Sequence, residues 1–311
     1  MIHRSSARRL LPMLLLAAVC TLAPAAIADA DELRFNSRFY EVTTTLDRDL
    51  AIKVAKHTDM VYAHYADQFS GFRSRQLQSH PLFVFETRQQ YTDFLGRHDI
   101  DGSGSGGMFF VSPHGSGLTT MFEGQGLTRM LRTLRHEGFH QFAHSKIGPN
   151  LPQWANEGLA EYFAESLVVR NRLVPGQVAP GALHNVKAAI ENDRYLPFEE
   201  LLHLSQDQWN QRVRQGDSRL MYDQSWSIVH FLVHADRRFV AAFDAYLLAL
   251  GRGIDAQVAF DQAFDSPNYQ AFERAWKRYI VDLEPTPATT AAPRLNFLAE
   301  GLKLLHQRDV A

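Results

Sequence analysis

Two histidines four positions apart, followed by a glutamate beyond a chain break, restrict the fold more than any other feature of the sequence. They are His136 and His140 in the stretch H-E-G-F-H. Positions i and i+4 share one face of an α-helix, so both imidazoles can reach a single ion. The G-P-N sequence at 148–150 ends that helix, and 16 residues separate His140 from Glu157. This spacing predicts a helical hairpin in which Glu157 faces the two histidines.

The residue types at these positions are those that bind zinc. Zinc accepts neutral histidine nitrogens and carboxylate oxygens, and with three protein ligands it keeps an open position. Glu137 lies about 100° around the helix from His136, so its carboxylate can act on water instead of on the metal. The sequence therefore predicts Zn²⁺ bound by His136, His140 and Glu157. Glu161, one turn further on, can accept the free ring N–H of a ligand histidine.

Residues 1–30 have the pattern of a secretory signal peptide. Three arginines precede an almost wholly apolar run at 10–22, and cleavage fits after Ala28 or Ala30. A basic start, a short apolar core and small residues at the end mark a cleaved leader. The apolar run is shorter than the ~20 residues that span a bilayer. We expect export to the periplasm or the exterior, with no stable membrane insertion after cleavage.

Composition excludes several classes of protein. The single cysteine, Cys20, lies in the predicted leader, so the mature chain can form no disulfide, cysteine-ligated zinc finger or iron–sulfur cluster. The formal net charge is −2, without the basic surplus that phosphate recognition usually requires. We therefore expect no nucleic-acid partner. The sequence does not indicate an oligomeric state.

The chain after residue 30 divides into a mixed part and a helical part. Alternating and periodic apolar patterns predict strands at 35–45, 81–85, 108–111 and 118–122, with helices at 46–69 and 87–95. Longer helical patterns follow at 127–145, 153–166, 181–192, 218–235, 237–250 and 267–283. Such an order is typical of an α+β fold, with a small mixed or antiparallel sheet followed by a mainly helical part. The predicted divisions are an N-terminal part at 31–125, a helical zinc domain at 126–283, and a Pro/Thr/Ala linker with a last amphipathic helix at 284–311.

These motifs resemble those of the gluzincin metallopeptidases. H-E-x-x-H at 136–140 is followed by W-x-N-E-G-L-A-x-Y at 154–162. The N-E-G-x-A stretch is similar to the aminopeptidase N branch, and N-E-x-x-x-E resembles the thermolysin pattern, with Glu where that family has Asp. The layout looks closest to secreted bacterial gluzincin-like proteins of largely unknown function, in which a small α/β segment precedes the zinc helix. The resemblance covers about residues 81–235 and is strongest at 135–163.

The resemblance implies a zincin-like core and a zinc-dependent peptidase whose partner is a peptide or protein substrate. It implies the same three zinc ligands, with Glu137 as general base, and Asn156 and Glu161 would support the ligand histidines. Peptide hydrolysis also needs a donor for the developing oxyanion, and gluzincins often use a downstream tyrosine or histidine. Tyr222 matches the tyrosine of the aminopeptidase N branch. His230 and His234 are the alternative, as a donor or as a second metal pair.

Several alternatives stay open at this level. The chain lacks a Met-Glu-Asn stretch, so aminopeptidase specificity is not predicted. The gap of 16 residues is slightly tighter than in either gluzincin branch, which leaves Glu161 as an alternative third ligand. The other functions to consider are a non-catalytic zinc module that binds peptides or cell wall, and a zinc hydrolase of a non-peptide substrate. Arg129, Arg132 and Arg135 recur every three residues and are predicted to form a solvated helix face.

Overall fold

A five-stranded mixed sheet lies between residues 33 and 121. The computed structural model describes residues 32–72, 79–149, 151–265, 268–289 and 291. In chain order the strands are β1 (Leu33–Asn36), β2 (Tyr40–Thr44), β3 (His80–Phe85), β4 (Gly107–Ser112) and β5 (Gly115–Met121). Their spatial order is β1-β2-β3-β5-β4. The pairs β2–β3 and β3–β5 are parallel, whereas the two outer pairs are antiparallel. Strand β4 is therefore an edge strand.

The single strand predicted at 35–45 is wrong, because a turn divides it into β1 and β2. The Asp59 carboxylate accepts hydrogen bonds from the backbone N–H groups of Arg38 (3.0 Å) and Phe39 (2.9 Å). Asp59 belongs to the following helix, α1 (Arg48–Gln68). The turn thus depends on a contact some twenty residues away, which local alternation does not reveal.

Two helices connect the parallel strands. Helix α1 lies between β2 and β3, and α2 (Arg88–Gly96) follows β3. Asp47 caps α1 by accepting a hydrogen bond from Leu50 N. Thr87 caps α2 in a capping box with Gln90, which agrees with the predicted cap. Both elements lie within three residues of their predicted bounds.

Helices dominate the second half of the described chain. They are α3 (Gly126–Lys146), α4 (Gln153–Ala164), α5 (Pro180–Glu191), α6 (Phe198–Leu201), α7 (Gln206–Arg212), α8 (Ser218–His234), α9 (Arg237–Gly251), α10 (Ala256–Ala263) and α11 (Tyr269–Asp282). A π-helical turn (Val213–Asp217) joins α7 to α8, and a hairpin of β6 (Leu167–Val169) and β7 (Arg172–Val174) follows α4. The predicted α+β class, with a small mixed sheet and a helical C-terminal part, is confirmed.

One hydrophobic cluster joins the sheet to the helices. It contains Leu82 of β3, Phe139 and Phe142 of α3, Trp154 of α4 and Ile228 of α8, all at most 1% exposed. The two phenylalanines belong to the buried residues of α3. This packing holds α3 and α4 as an antiparallel hairpin between the sheet and α8.

The predicted linker begins against the body of the protein. Thr286 and Thr289 form hydrogen bonds with the backbone of Val178. The signal peptide predicted at 1–30 and the final helix, predicted at 295–307 within the last segment, lie outside the described residues. Among the residues that are described, no helix combines the length and the apolar character needed to cross a membrane.

Candidate metal centre

Three side-chain atoms from α3 and α4 converge on one point. His136 Nε2 and His140 Nε2 are 3.2 Å apart. Glu157 Oε2 lies 3.3 Å from the first nitrogen and 3.4 Å from the second. A tetrahedral ion with ligand bonds of about 2.0–2.1 Å requires ligand separations of roughly 3.3–3.4 Å. The triangle therefore has the dimensions of three corners of a tetrahedral site.

An oxygen atom lies behind each histidine, in a hydrogen bond for His140 and in an ion-pair contact for His136. Asn156 Oδ1 is 3.0 Å from His140 Nδ1, and Glu161 Oε1 is 3.2 Å from His136 Nδ1. An acceptor at Nδ1 favours the proton there, which leaves the Nε2 lone pair free. Both lone pairs then face Glu157 Oε2, a buried oxygen without a hydrogen-bond donor among the described residues. Three electron pairs aimed at one point repel one another unless a cation lies between them.

Electrostatics favour positive charge at this point. Burial alone would lower the pKa of His136, but Glu157 and Glu161 outweigh it and raise that pKa well above its usual value. Glu157 likewise raises the pKa of His140 against the effect of burial. Burial would raise the pKa of Glu157, and the two imidazoles instead hold it far below its ordinary range. The residues present thus fit a bound cation, and among the described residues no other group of three such side chains does.

Glu137 lies beside the triangle and contacts the edge strand. Its Oε2 accepts a hydrogen bond of 2.9 Å from the backbone N–H of Phe109 in β4. Burial raises the pKa of Glu137, although His136 and His140 oppose the shift. A carboxylate with a raised pKa is a stronger base. The structure therefore holds a basic group next to the three converging atoms, on the same helix as two of them.

Tyr222 reaches the same place from α8. Its ring stacks on that of His136 with the centroids 6.3 Å apart. Burial raises the pKa of Tyr222, and the carboxylates of Glu157 and Glu137 raise it further. The phenol thus keeps its proton at neutral pH and can donate a hydrogen bond. Tyr222 stands 82 positions after His140, and only the packing of α8 on α4 brings the two together.

Gly158 permits this close packing. A Cβ atom on Gly158 would lie 2.5 Å from the carbonyl oxygen of Ser225 and 2.7 Å from a methyl group of Val229. Real Cβ atoms do not approach a backbone oxygen so closely. Glycine in the N-E-G-L-A stretch therefore allows α8 to approach α4, one turn after Tyr222.

The second histidine pair lies elsewhere. His230 Nδ1 is 2.8 Å from the Tyr279 hydroxyl, and His234 Nε2 is 3.0 Å from the Tyr162 hydroxyl. His230 follows Tyr222 by about two helical turns, roughly 12 Å along the axis. The structure thus brings Tyr222, and not His230, to the converging atoms. Among the described residues, no carboxylate completes a metal site at the second pair.

The contacts of Glu161 and of the α3 arginines differ in part from those predicted from the sequence. The oxygens of Glu161 face His136 Nδ1 and Arg132 (2.7 Å), so Glu157 occupies the third position. The predicted solvated arginine face is only partly wrong: Arg132 and Arg135 contact α4 and its C-terminal residue, although 41% of the Arg132 side chain stays exposed. Arg132 pairs with Glu161 and Glu165, and Arg135 donates to the Ala164 carbonyl at 2.8 and 3.0 Å. Helix α4 covers this face, which a spacing of three residues could not indicate.

A cavity of about 410 Å³ adjoins the centre. Glu161 and Tyr222 form the wall that it shares with the centre, and Arg132, Arg219 and Trp226 line other walls. Its volume falls within the roughly 300–1,000 Å³ that is usual for small-ligand sites. The arrangement therefore offers room for part of a substrate beside the three converging atoms.

Comparison with known proteins gives one similarity. A profile of the family described as "Protein of unknown function (DUF1570)" matches residues 130–247. No curated protein matches the chain. The matched stretch runs from α3 into α9 and contains His136, Glu157 and Tyr222 together with the other candidate site residues. The family description states no function, so the chemistry of this chain has to be inferred from the geometry of the site.

Proposed function

We propose that this protein is an exported zinc-dependent peptidase with a zincin-like core. The observation that carries the proposal is the triangle of His136 Nε2, His140 Nε2 and Glu157 Oε2, with edges of 3.2–3.4 Å and Glu137 beside it. The three side chains remain 11–13% exposed, so solvent and a substrate can approach them. A site closed on all sides would favour a purely structural ion.

The donor set favours zinc over the common hard cations. Calcium and magnesium prefer oxygen ligands, and calcium needs longer bonds of about 2.3–2.6 Å. Two imidazole nitrogens and one carboxylate oxygen at these separations suit zinc. When bound, zinc supplies a Lewis acid that polarises a carbonyl group and lowers the pKa of water toward 7.

The protein residues then have separate tasks in hydrolysis. Glu137 accepts the proton of the attacking water and passes it to the leaving amine. Tyr222 donates a hydrogen bond to the oxyanion that develops on the substrate carbonyl. Asn156 and Glu161 hold the two imidazoles in the orientation that directs Nε2 toward the ion.

Edge strand β4 is suited to bind an extended peptide. Ser112 and Gly115 flank a two-residue turn, so the backbone groups of Phe109 and Val111 point to the open edge. Glu137 takes the Phe109 N–H, and Val111 is 58% exposed. A peptide that pairs with this edge would pass directly beside Glu137, which is the β-augmentation mode of recognition.

Zinc content and chelator-sensitive cleavage test the proposal. We expect about one zinc per chain in the purified mature protein, and cleavage of a casein or quenched-peptide mixture that a chelator abolishes. Glu137→Gln should keep the zinc and lose hydrolysis, because it removes the base and not a ligand. Activity that persists in this variant, or a parent protein that binds no zinc, would overturn the mechanism. Bound zinc without any cleavage would favour the non-catalytic module or the hydrolase of a non-peptide substrate.

A further inference from the structure

The metal centre occupies one end of a longer interface between α3 and α4. Each helix presents a stripe of side chains at successive i, i+4 positions, and the two stripes run antiparallel. Along α3 the stripe consists of His140, His136 and Arg132, and along α4 it consists of Glu157, Glu161 and the C-cap residue Glu165. At the far end of the interface, the Arg132 guanidinium lies between the carboxylates of Glu161 and Glu165, whereas the proposed ion at the near end has two imidazoles and one carboxylate.

Arg132 holds Glu161 from the side opposite the histidine. Its Nη2 is 2.7 Å from Glu161 Oε2, while the other oxygen of that carboxylate lies 3.2 Å from His136 Nδ1. Glu165 fixes the guanidinium in turn, because its Oε1 accepts hydrogen bonds from Nε (2.9 Å) and Nη2 (2.6 Å) of Arg132. The planar guanidinium bridges two carboxylates in a defined geometry, which a lysine ammonium group cannot reproduce.

We propose that Arg132 is a positioning residue for the metal centre. It holds the Glu161 carboxylate 3.2 Å from His136 Nδ1, where the negative charge favours the proton on that nitrogen and leaves His136 Nε2 free for the ion. This inference rests on the metal centre of the proposed function, but it does not depend on peptidase activity.

Simple electrostatics give the opposite expectation, which makes the proposal testable. A fixed positive charge near the centre repels a divalent cation, so loss of that charge alone would tighten zinc binding. Positioning through Glu161 instead means that a disturbed Arg132 weakens zinc binding. Arg132→Lys separates the two effects, because it keeps the charge and removes the bridge between Glu161 and Glu165.

A double-mutant cycle on zinc affinity tests the proposal. Zn²⁺ dissociation constants are measured by competition with a chromogenic chelator for the full mature chain, Arg132→Lys, Glu161→Gln and the double variant. We expect Glu161→Gln to weaken binding by about 10–100-fold and Arg132→Lys by about 10-fold, the range for residues that support metal ligands. In the Glu161→Gln background, Arg132→Lys should change the constant by less than about 2-fold, because its partner is already lost.

Two further variants guard against a merely structural effect. Arg129→Lys makes the same substitution on an exposed part of the same helix and should leave zinc affinity unchanged. Glu165→Gln weakens the hold on Arg132 without touching Glu161, and we expect a few-fold weaker binding. Melting temperatures of the metal-free variants show whether the helix pair has loosened.

The outcomes separate this inference from the proposed function. Unchanged or tighter zinc binding in Arg132→Lys overturns the positioning role. The role is also overturned if the loss of zinc affinity in the double variant equals the product of the fold-losses in the two single variants. A parent protein that binds no zinc overturns the metal centre itself, and the role of Arg132 with it. A parent that binds zinc but cleaves nothing contradicts only the peptidase, since the cycle then still reports on Arg132.

Discussion

Two histidine pairs with the same i, i+4 spacing lie on different helices and meet different partners. His136 and His140 on α3 face two carboxylates and an amide oxygen of α4. His230 and His234 on α8 face tyrosine hydroxyl groups, with a backbone carbonyl 3.4 Å from His230 Nε2. Identical spacing therefore gives a geometry that fits a metal ion in one case and neutral packing in the other.

The pKa values of the two pairs shift in opposite directions. The carboxylates of α4 overcome burial and raise the pKa of His136 and His140. Burial lowers the pKa of His234 and, together with the neighbouring imidazole, lowers that of His230 to about 4. The elements packed across from a histidine pair thus determine whether the site attracts a cation or excludes one.

Removal of the proposed carboxylate ligand should give the largest effect. Glu157→Ala takes away one of the three proposed ligands, and we expect zinc affinity to fall by ~4 kcal/mol, or ~1,000-fold. His230→Gln should leave zinc affinity within about 2-fold of the parent, because in the described part of the chain this pair contacts tyrosine hydroxyls and a carbonyl instead of a carboxylate. Competition titrations on both variants measure the contrast. A comparable loss of zinc in His230→Gln would show that the second pair takes part in metal binding.

The two tyrosines next to the histidine pairs provide the second comparison. Tyr222→Phe removes the proposed oxyanion donor, and we expect kcat for peptide hydrolysis to fall by about 100–1,000-fold with zinc still bound. Tyr279→Phe is the matched control at the second pair, where the hydroxyl contacts His230. Steady-state kinetics on both variants distinguish a catalytic hydroxyl from a packing one. Equal losses in both variants would remove the argument for Tyr222.

Acid should destabilise the protein through the second pair. The pKa of His230 is about 4 in the folded protein, against an ordinary value of 6.5. Between these values the unfolded chain binds more protons, so the free energy of unfolding falls as the pH drops from about 6.5 to about 4. The maximum contribution is about 3 kcal/mol. Urea unfolding of the parent and His230→Gln over this range should give a shallower pH dependence for the variant, and parallel curves would refute the assignment.

A change in the close packing of α4 on α8 should have the smallest effect of those predicted here. Gly158→Ala places a methyl group 2.5 Å from the Ser225 carbonyl oxygen, and we expect a loss of about 1–3 kcal/mol in stability. Gly96→Ala, also in a helix, meets no atom within 4 Å and should stabilise the protein slightly. Chemical denaturation measures both changes. A Gly158→Ala variant as stable as the parent would mean that α8 can move away from α4 without cost.

The long periodic elements were predictable, whereas the short ones were not. The six helices predicted between residues 126 and 283 are all present, because a stripe of buried residues repeats over three or more turns. Helices α6, α7 and α10 and the hairpin β6–β7 were missed, since four to eight residues contain too few repeats. The caps Ser205 and Asp255 were the available signals for α7 and α10.

The sequence by itself determined the local part of the candidate site. Helical periodicity places His136, Glu137 and His140 on neighbouring positions of α3, and a short break forces the return helix that carries Glu157. Only the tertiary structure decided that Tyr222 lies next to these residues, that His230 does not, and that Arg132 forms an ion pair with Glu161. These relations depend on how α3, α4 and α8 pack, and a hydrogen bond between helices depends on atoms that no spacing along a single helix can specify.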